Sequence, residues 1–186
     1  MITTRMVRGG AGIVVATALA AIQAGAAGGQ TGRVVGPTGK IAAPARCQRK
    51  ALGITLTAAS GGLTHQGSVI EFRNRGGACT IMGYPGVDAL NAAGQRVLSA
   101  KRVKSGYLGG VESGPIPKVH LAKGQAASAL LEWIDLGSPC PRAQSFRITP
   151  PNAVRSVVLS PKSLKSQTLC RVEVHPVVPG TSWQKP

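Results

Sequence analysis

Four cysteines, six carboxylates and three histidines are the residues of this chain best suited to chemistry. Cys47, Cys79, Cys140 and Cys170 contain no close Cys-x-x-Cys pair of the kind zinc sites use, and no histidine pair joins them. Their even number and wide spacing predict two disulfides instead. Pairing in chain order, Cys47–Cys79 and Cys140–Cys170, closes two loops of about thirty residues, each contributing roughly 3–4 kcal/mol. Spacing alone leaves the other two connectivities open. Hydrolysis by paired carboxylates requires two acids at a defined separation. Glu71, Asp88, Glu112, Glu132, Asp135 and Glu173 form no local motif, and the Glu132/Asp135 pair reads as a solvated strand end. His65, His120 and His175 stand far apart and read as incidental. No glycine-rich phosphate cradle opens a helix, because no helix is predicted. The sequence therefore predicts a non-enzyme with no catalytic residue, no metal ligand and no cofactor.

The residues up to about 27 supply a compartment for those cysteines. Arg5 and Arg8 form a basic start, residues 10–22 are apolar, and Ala24-Gly25-Ala26 offers small residues for cleavage. This is the layout of a secretory signal peptide (1–27). Its apolar run is shorter than the roughly 20 residues a membrane-spanning helix needs, so no integral span is expected after cleavage. An uncleaved anchor is the rival reading. A secreted or wall-associated protein follows, in an oxidising environment.

Twenty-two Lys and Arg face six Asp and Glu, a net charge of +16. Removing Arg5 and Arg8 with the signal takes away only two of those charges. Basic groups recur along the chain at Arg46/Arg49/Lys50, Arg73/Arg75, Lys101/Arg102/Lys104 and Lys162/Lys165. Such a field attracts anionic partners. Single-strand nucleic-acid binding needs stacking aromatics, and only two Phe, two Tyr and two Trp are present, with no nucleic-acid-binding signature. No nucleic-acid partner is expected. An anionic envelope polymer, a lipid surface or another exported protein suits the compartment better, with Lys101, Arg102 and Lys104 as candidate contacts.

The elements that must position these groups are strands. Residues 28–46 are rich in Gly, Pro and Ala without periodicity and predict a flexible linker. From Cys47 onward period-two alternation recurs: Leu52/Ile54/Leu56/Ala58, then Ser68/Ile70/Phe72, then Ala127/Ala129/Leu131/Trp133. Further short strands are predicted at Cys79–Met82, Val87–Leu90, Arg96–Ser99, Phe146–Ile148, Val154–Leu159 and Cys170–Val174. A long exposed loop is predicted over Val103–Pro117. Eight or nine strands with turn signals every 8–12 residues point to a single antiparallel immunoglobulin-like β-sandwich over 47–178. A tail (179–186) follows, whose Trp183 either docks on the domain or contacts a partner.

The run Phe72-Arg-Asn-Arg-Gly-Gly-Ala-Cys-Thr-Ile-Met-Gly-Tyr-Pro-Gly-Val87 is the most distinctive motif. With Asn74, Gly76, Cys79-Thr80, Gly83-Tyr84-Pro85-Gly86, Lys123-Gly124-Gln125-Ala126-Ala127, Trp133, Cys140, Pro150-Pro151 and Cys170, it resembles the secreted actinobacterial (mycobacterial-type) domain-of-unknown-function family 4232. The resemblance covers about Cys47 to Val178. It implies export and a small β-sandwich, and carries over no catalytic residue. Many relatives look lipid-anchored, whereas here the lipid-attachment cysteine is missing. Physically, Gly83 and Gly86 permit positive φ, while Pro85 fixes its own φ and biases Tyr84 toward extended geometry. Gly83-Tyr84-Pro85-Gly86 thus predicts a rigid corner directly after a disulfide-bearing strand.

Overall fold

The computed structural model describes residues 44–62, 64–110, 114–161 and 167–183. The predicted signal, the linker up to residue 43, and Lys162 and Lys165 lie outside the described residues. Along the chain a 3-10 turn (Arg49–Ala51) leads into β1 (Leu52–Leu56), β2 (Ser60–Gly62), β3 (His65–Asn74), β4 (Cys79–Met82), β5 (Gly86–Leu90) and β6 (Arg96–Ser99). Four short strands follow: β7 (Lys101–Arg102), β8 (Ser105–Gly106), β9 (Gly109–Gly110) and β10 (Lys118–Leu121). The long strand β11 (Ala126–Ile134) precedes β12 (Arg142–Ala143), β13 (Ser145–Thr149), β14 (Val157–Leu159), β15 (Gln167–Thr168), β16 (Arg171–Val174) and β17 (Val178–Pro179). The described chain is all-β apart from the one 3-10 turn. Its two disulfides pair in chain order, Cys47–Cys79 and Cys140–Cys170. No described helix is long and apolar enough to cross a membrane.

The architecture is more divided than one antiparallel sandwich. The largest sheet has the order β1-β3-β11-β16-β7, with β2 also on β3 and β17 also on β11. A four-stranded sheet runs β14-β13-β5-β6, and β10-β4, β12-β15 and β8-β9 form separate pairs. One strand pairing, β16 with β7, is parallel, as is the isolated bridge between Arg46 and Thr80. Strand β11 is the axis of the large sheet because it pairs with β3 along its whole length, from Ala126↔Arg73 to Ile134↔His65. Period two then sends Ala127, Ala129, Leu131 and Trp133 to the same face as Ile70 and Phe72 from β3 and Val172 and Val174 from β16. All of these belong to the core. Val87, Ala89, Phe146 and Ile148 enter it from the four-stranded sheet, and the Trp133 and Phe146 rings lie 5.6 Å apart. Full burial of each such large side chain contributes about 1.5–3 kcal/mol.

Two turns of the distinctive motif have direct structural causes. Asn74, wholly buried, donates from Nδ2 to the carbonyls of Gly77 (2.8 Å) and Leu121 (3.0 Å), and its Oδ1 accepts the Gly76 N–H. Gly83 has φ 102°, which a side chain would strain. The corner Gly83–Gly86 carries the chain from β4 into β5, and so from one sheet to another, and the Val177 N–H donates to the Gly83 carbonyl at 2.9 Å. Gly86 needs no unusual φ, since it opens β5 opposite Thr149. Pro85 is buried and Tyr84 half-buried. Next to the corner, the backbone of Cys47 and Ala45 bonds Thr80 on both sides, so chain pairing begins just ahead of the first disulfide.

Candidate functional site

The alternation in β11 predicts one wet face, and the structure buries both. Ser128, Leu130 and Glu132 are as sequestered as the core residues between them. The reason lies in Val103–Pro117, which is not simply an exposed loop. Its first half folds into the hairpin β8–β9 and lies back over the second face of the large sheet. A Cβ on Gly106 would sit 1.4 Å from Glu132 Oε1, and one on Gly67 would sit 2.5 Å from Leu108 Cδ1. Only glycine allows the hairpin this close. Trp183 completes the cover: a Cβ on Gly109 would meet its ring carbon Cζ3 at 2.3 Å. The tail therefore docks on its own domain as far as Trp183, and Pro179 is already part of β17 opposite Ala127.

Strand register brings together, on this second face, residues that are distant in sequence. Glu132 on β11 stands directly opposite Glu173 on β16 and Gly67 on β3. Two of the chain's six acids are thus cross-strand neighbours, an arrangement that is destabilising unless each is neutralised. Both are. Glu132 Oε1 lies 3.0 Å from His175 Nε2, and its Oε2 accepts the Leu108 N–H at 2.9 Å. His175 is 2% exposed, and its Nδ1 lies 3.3 Å from the Lys104 carbonyl. Glu173 Oε1 accepts Arg171 Nε at 2.7 Å and also pairs with Nη2 of the same guanidinium. The expectation of a solvated strand end at Glu132 and an incidental His175 is corrected: they form a buried pair. Asp135, by contrast, caps the strand end, accepting from Thr168 Oγ1 and from the Gly137 N–H.

Beside this pair opens a cavity of about 400 Å³. Glu132 and Glu173 form its polar floor, Arg171 one side, and Ser105, Gly106 and Tyr107 its lip. Tyr107 stacks on His65, with ring centroids 3.6 Å apart and planes at 19°, yet remains 69% exposed. Among the described residues no group of three or more His, Cys, Asp or Glu is arranged to hold a metal.

Burial alone would raise the Glu132 carboxyl, but the opposing effects outweigh it. The His175 hydrogen bond, the Leu108 N–H, the charge of His175 and the Tyr107 N–H together hold it below its ordinary value of 4.5. With the folded value lower than the unfolded one, the unfolded state binds more protons on acidification. The stabilisation from this group is present above pH 4.5 and is lost as pH falls through the folded value. Urea unfolding between pH 6 and 3 should therefore show a falling midpoint that flattens in Glu132→Gln; an identical profile in both proteins would exclude this origin.

The predicted anionic-partner contacts lie on the rim of the same region. Lys101 and Arg102 form β7, the edge of the large sheet, where Lys101 pairs with Glu173 and Arg102 with Val174. Both side chains are exposed and make no ion pair among the described residues. Lys104 Nζ donates to the Gly114 carbonyl at 3.0 Å. Segment 101–107 thus supplies the basic edge and then the lip of the cavity.

The site residues missed in the sequence are Glu132, Glu173, His175, Gly106, Tyr107 and His65. A signal was present for some of them. Glu132 is the one charge inside the run Ala126–Ile134, and Arg171, Glu173 and His175 share one face of a strand by period two. No curated protein and no solved structure matches the chain. The Asn74 turn, the Cys79 strand, the Gly83–Gly86 corner and the two in-order disulfides fall within residues 47–178, which match the family described as Domain of unknown function (DUF4232), and the chain belongs to that family.

Proposed function

We propose that this chain is a secreted, non-catalytic β-sandwich protein of immunoglobulin-like type that binds anionic components of the cell envelope. The observation that carries the reading is the exposed basic edge Lys101/Arg102 with Lys104 beside it, in a chain of net charge +16. The carboxylates support a non-catalytic role: both Glu132 oxygens are already engaged, and Glu173 is held by Arg171. A protein-interaction module that adds a strand at the β7 edge has less support. Edge β7 spans two residues, both charged, and short charged edges resist strand addition.

Binding to phosphatidylglycerol vesicles and to dextran sulfate should be measurable at low salt and weaken steeply as salt rises, with phosphatidylcholine vesicles as the neutral control. Reversing Lys101, Arg102 and Lys104 to Glu should reduce retention by about tenfold or more, the equivalent of roughly 1.4 kcal/mol. Reversing Arg96, Lys118 and Lys123, exposed elsewhere, changes net charge equally and should cost less. Equal losses in the two triple variants would assign binding to net charge rather than to this edge.

A further inference from the structure

We infer that the cavity beside Glu132 and Glu173 is a saccharide-binding site, and that the anionic partner is an acidic polysaccharide that places one pyranose ring in it. This rests on the anionic-partner reading and names its chemistry. Three properties of the cavity point to a sugar. First, its floor is polar and its acids are already partnered: Glu132 Oε1 by His175 Nε2 and Glu173 Oε1 by Arg171, so the floor is not an open pair of carboxylates awaiting a cation. What remains are one free carboxylate oxygen and a guanidinium donor on neighbouring residues, a pair suited to the hydroxyls of a ring. Arg171, whose side chain is 56% exposed, can donate while Glu173 Oε2 accepts. Second, Tyr107 presents a large open ring face that is already ordered, because His65 backs it at 3.6 Å. An ordered aromatic platform loses little rotamer freedom when a ring stacks on it. Third, a volume of about 400 Å³ lies within the range of small-ligand sites and exceeds what a single phosphate or sulfate needs.

The neighbourhood selects an acidic polymer over a free neutral sugar. Lys101, Arg102 and Lys104 precede the cavity lip in one continuous segment, so a chain leaving the cavity along β7 passes cationic groups. A lipid headgroup would use those cations, but would have no use for the aromatic platform and the paired carboxylates.

Isothermal titration of the full chain with dextran sulfate and with poly-L-glutamate separates the two ideas, because only one of these polyanions is a saccharide. Two variants perturb the cavity without touching its buried pair: Tyr107→Ala, which removes the platform, and Ser105→Trp, which blocks the mouth from an exposed position. Each should weaken dextran sulfate about three- to tenfold, the size of one aromatic stacking contact, and leave poly-L-glutamate and the salt slope unchanged. Both polyanions weakening alike, or neither, would overturn the cavity inference while the basic-edge reading stands. Absence of any binding to either polymer at low salt would remove both.

Discussion

Replacing Glu132 by alanine should lower the unfolding free energy by about 3–5 kcal/mol, the largest effect of any single substitution outside the main core. The cause is what the substitution strands. His175, 2% exposed, would keep a buried ring nitrogen without its partner, and the Leu108 N–H that holds the hairpin down would lose its acceptor. Glu132→Gln should lose much less, since an amide can still accept from Leu108 and bond His175. Replacing both members, Glu132→Leu with His175→Leu, should recover most of the deficit, because a buried pair exchanged for well-packed apolar residues is often neutral. Urea denaturation of the three variants measures this directly. A double variant no more stable than Glu132→Ala would show that the loss comes from packing rather than from an unpaired buried group.

Removal of the Cys47–Cys79 bridge is the second large effect. Its sequence separation of 32 implies about 3–4 kcal/mol of lost constraint on the unfolded chain, against a net stability of about 5–15 kcal/mol for a typical domain. Cys140–Cys170, with separation 30, carries nearly the same loop term. The two bridges differ in burial: Cys47 and Cys79 are core residues at 7% and 6% exposure, whereas Cys140 and Cys170 are half-buried. Paired alanine substitutions at 47 and 79 should therefore cost more than those at 140 and 170, the difference being a cavity under the Ala45–Thr80 pairing. Thermal unfolding of the two double variants, compared at equal concentration, gives the order. The reverse order would make Cys140–Cys170 the more important clamp.

What the sequence discloses follows from which interactions are local. Period-two alternation locates β1, β3 and the core face of β11, because each strand's own pattern records which side is apolar, while β4 and β6 are legible as short apolar runs between turn signals. The Asn74 and Gly83 turns are legible for the same reason, being set by residues within a few positions. The second face of β11 is not legible locally. Leu130 and Glu132 read as the wet side of a strand until the hairpin around Gly106 and the strand bearing His175 are brought over them from more than twenty residues away. Short strands such as β7, β8 and β9 have too few residues for any period to show. The candidate cavity inherits that obscurity, since its floor and its lip come from different long-range pairings.

Strand order also fixes an order in time. A polypeptide made from its N-terminus has β3 and β11 available to pair as soon as Ile134 has emerged, but β16 and β17 lie much further along. Until they arrive, one side of β11 is an open row of backbone donors and acceptors, and Glu132 stands in water without His175. Long-range pairing of this kind is slow. One side of the sheet's central strand thus stays unpaired until β16 emerges, with Glu132 the one charge in that unfinished strand, and β7 waits longer still, because its partner in the sheet is β16.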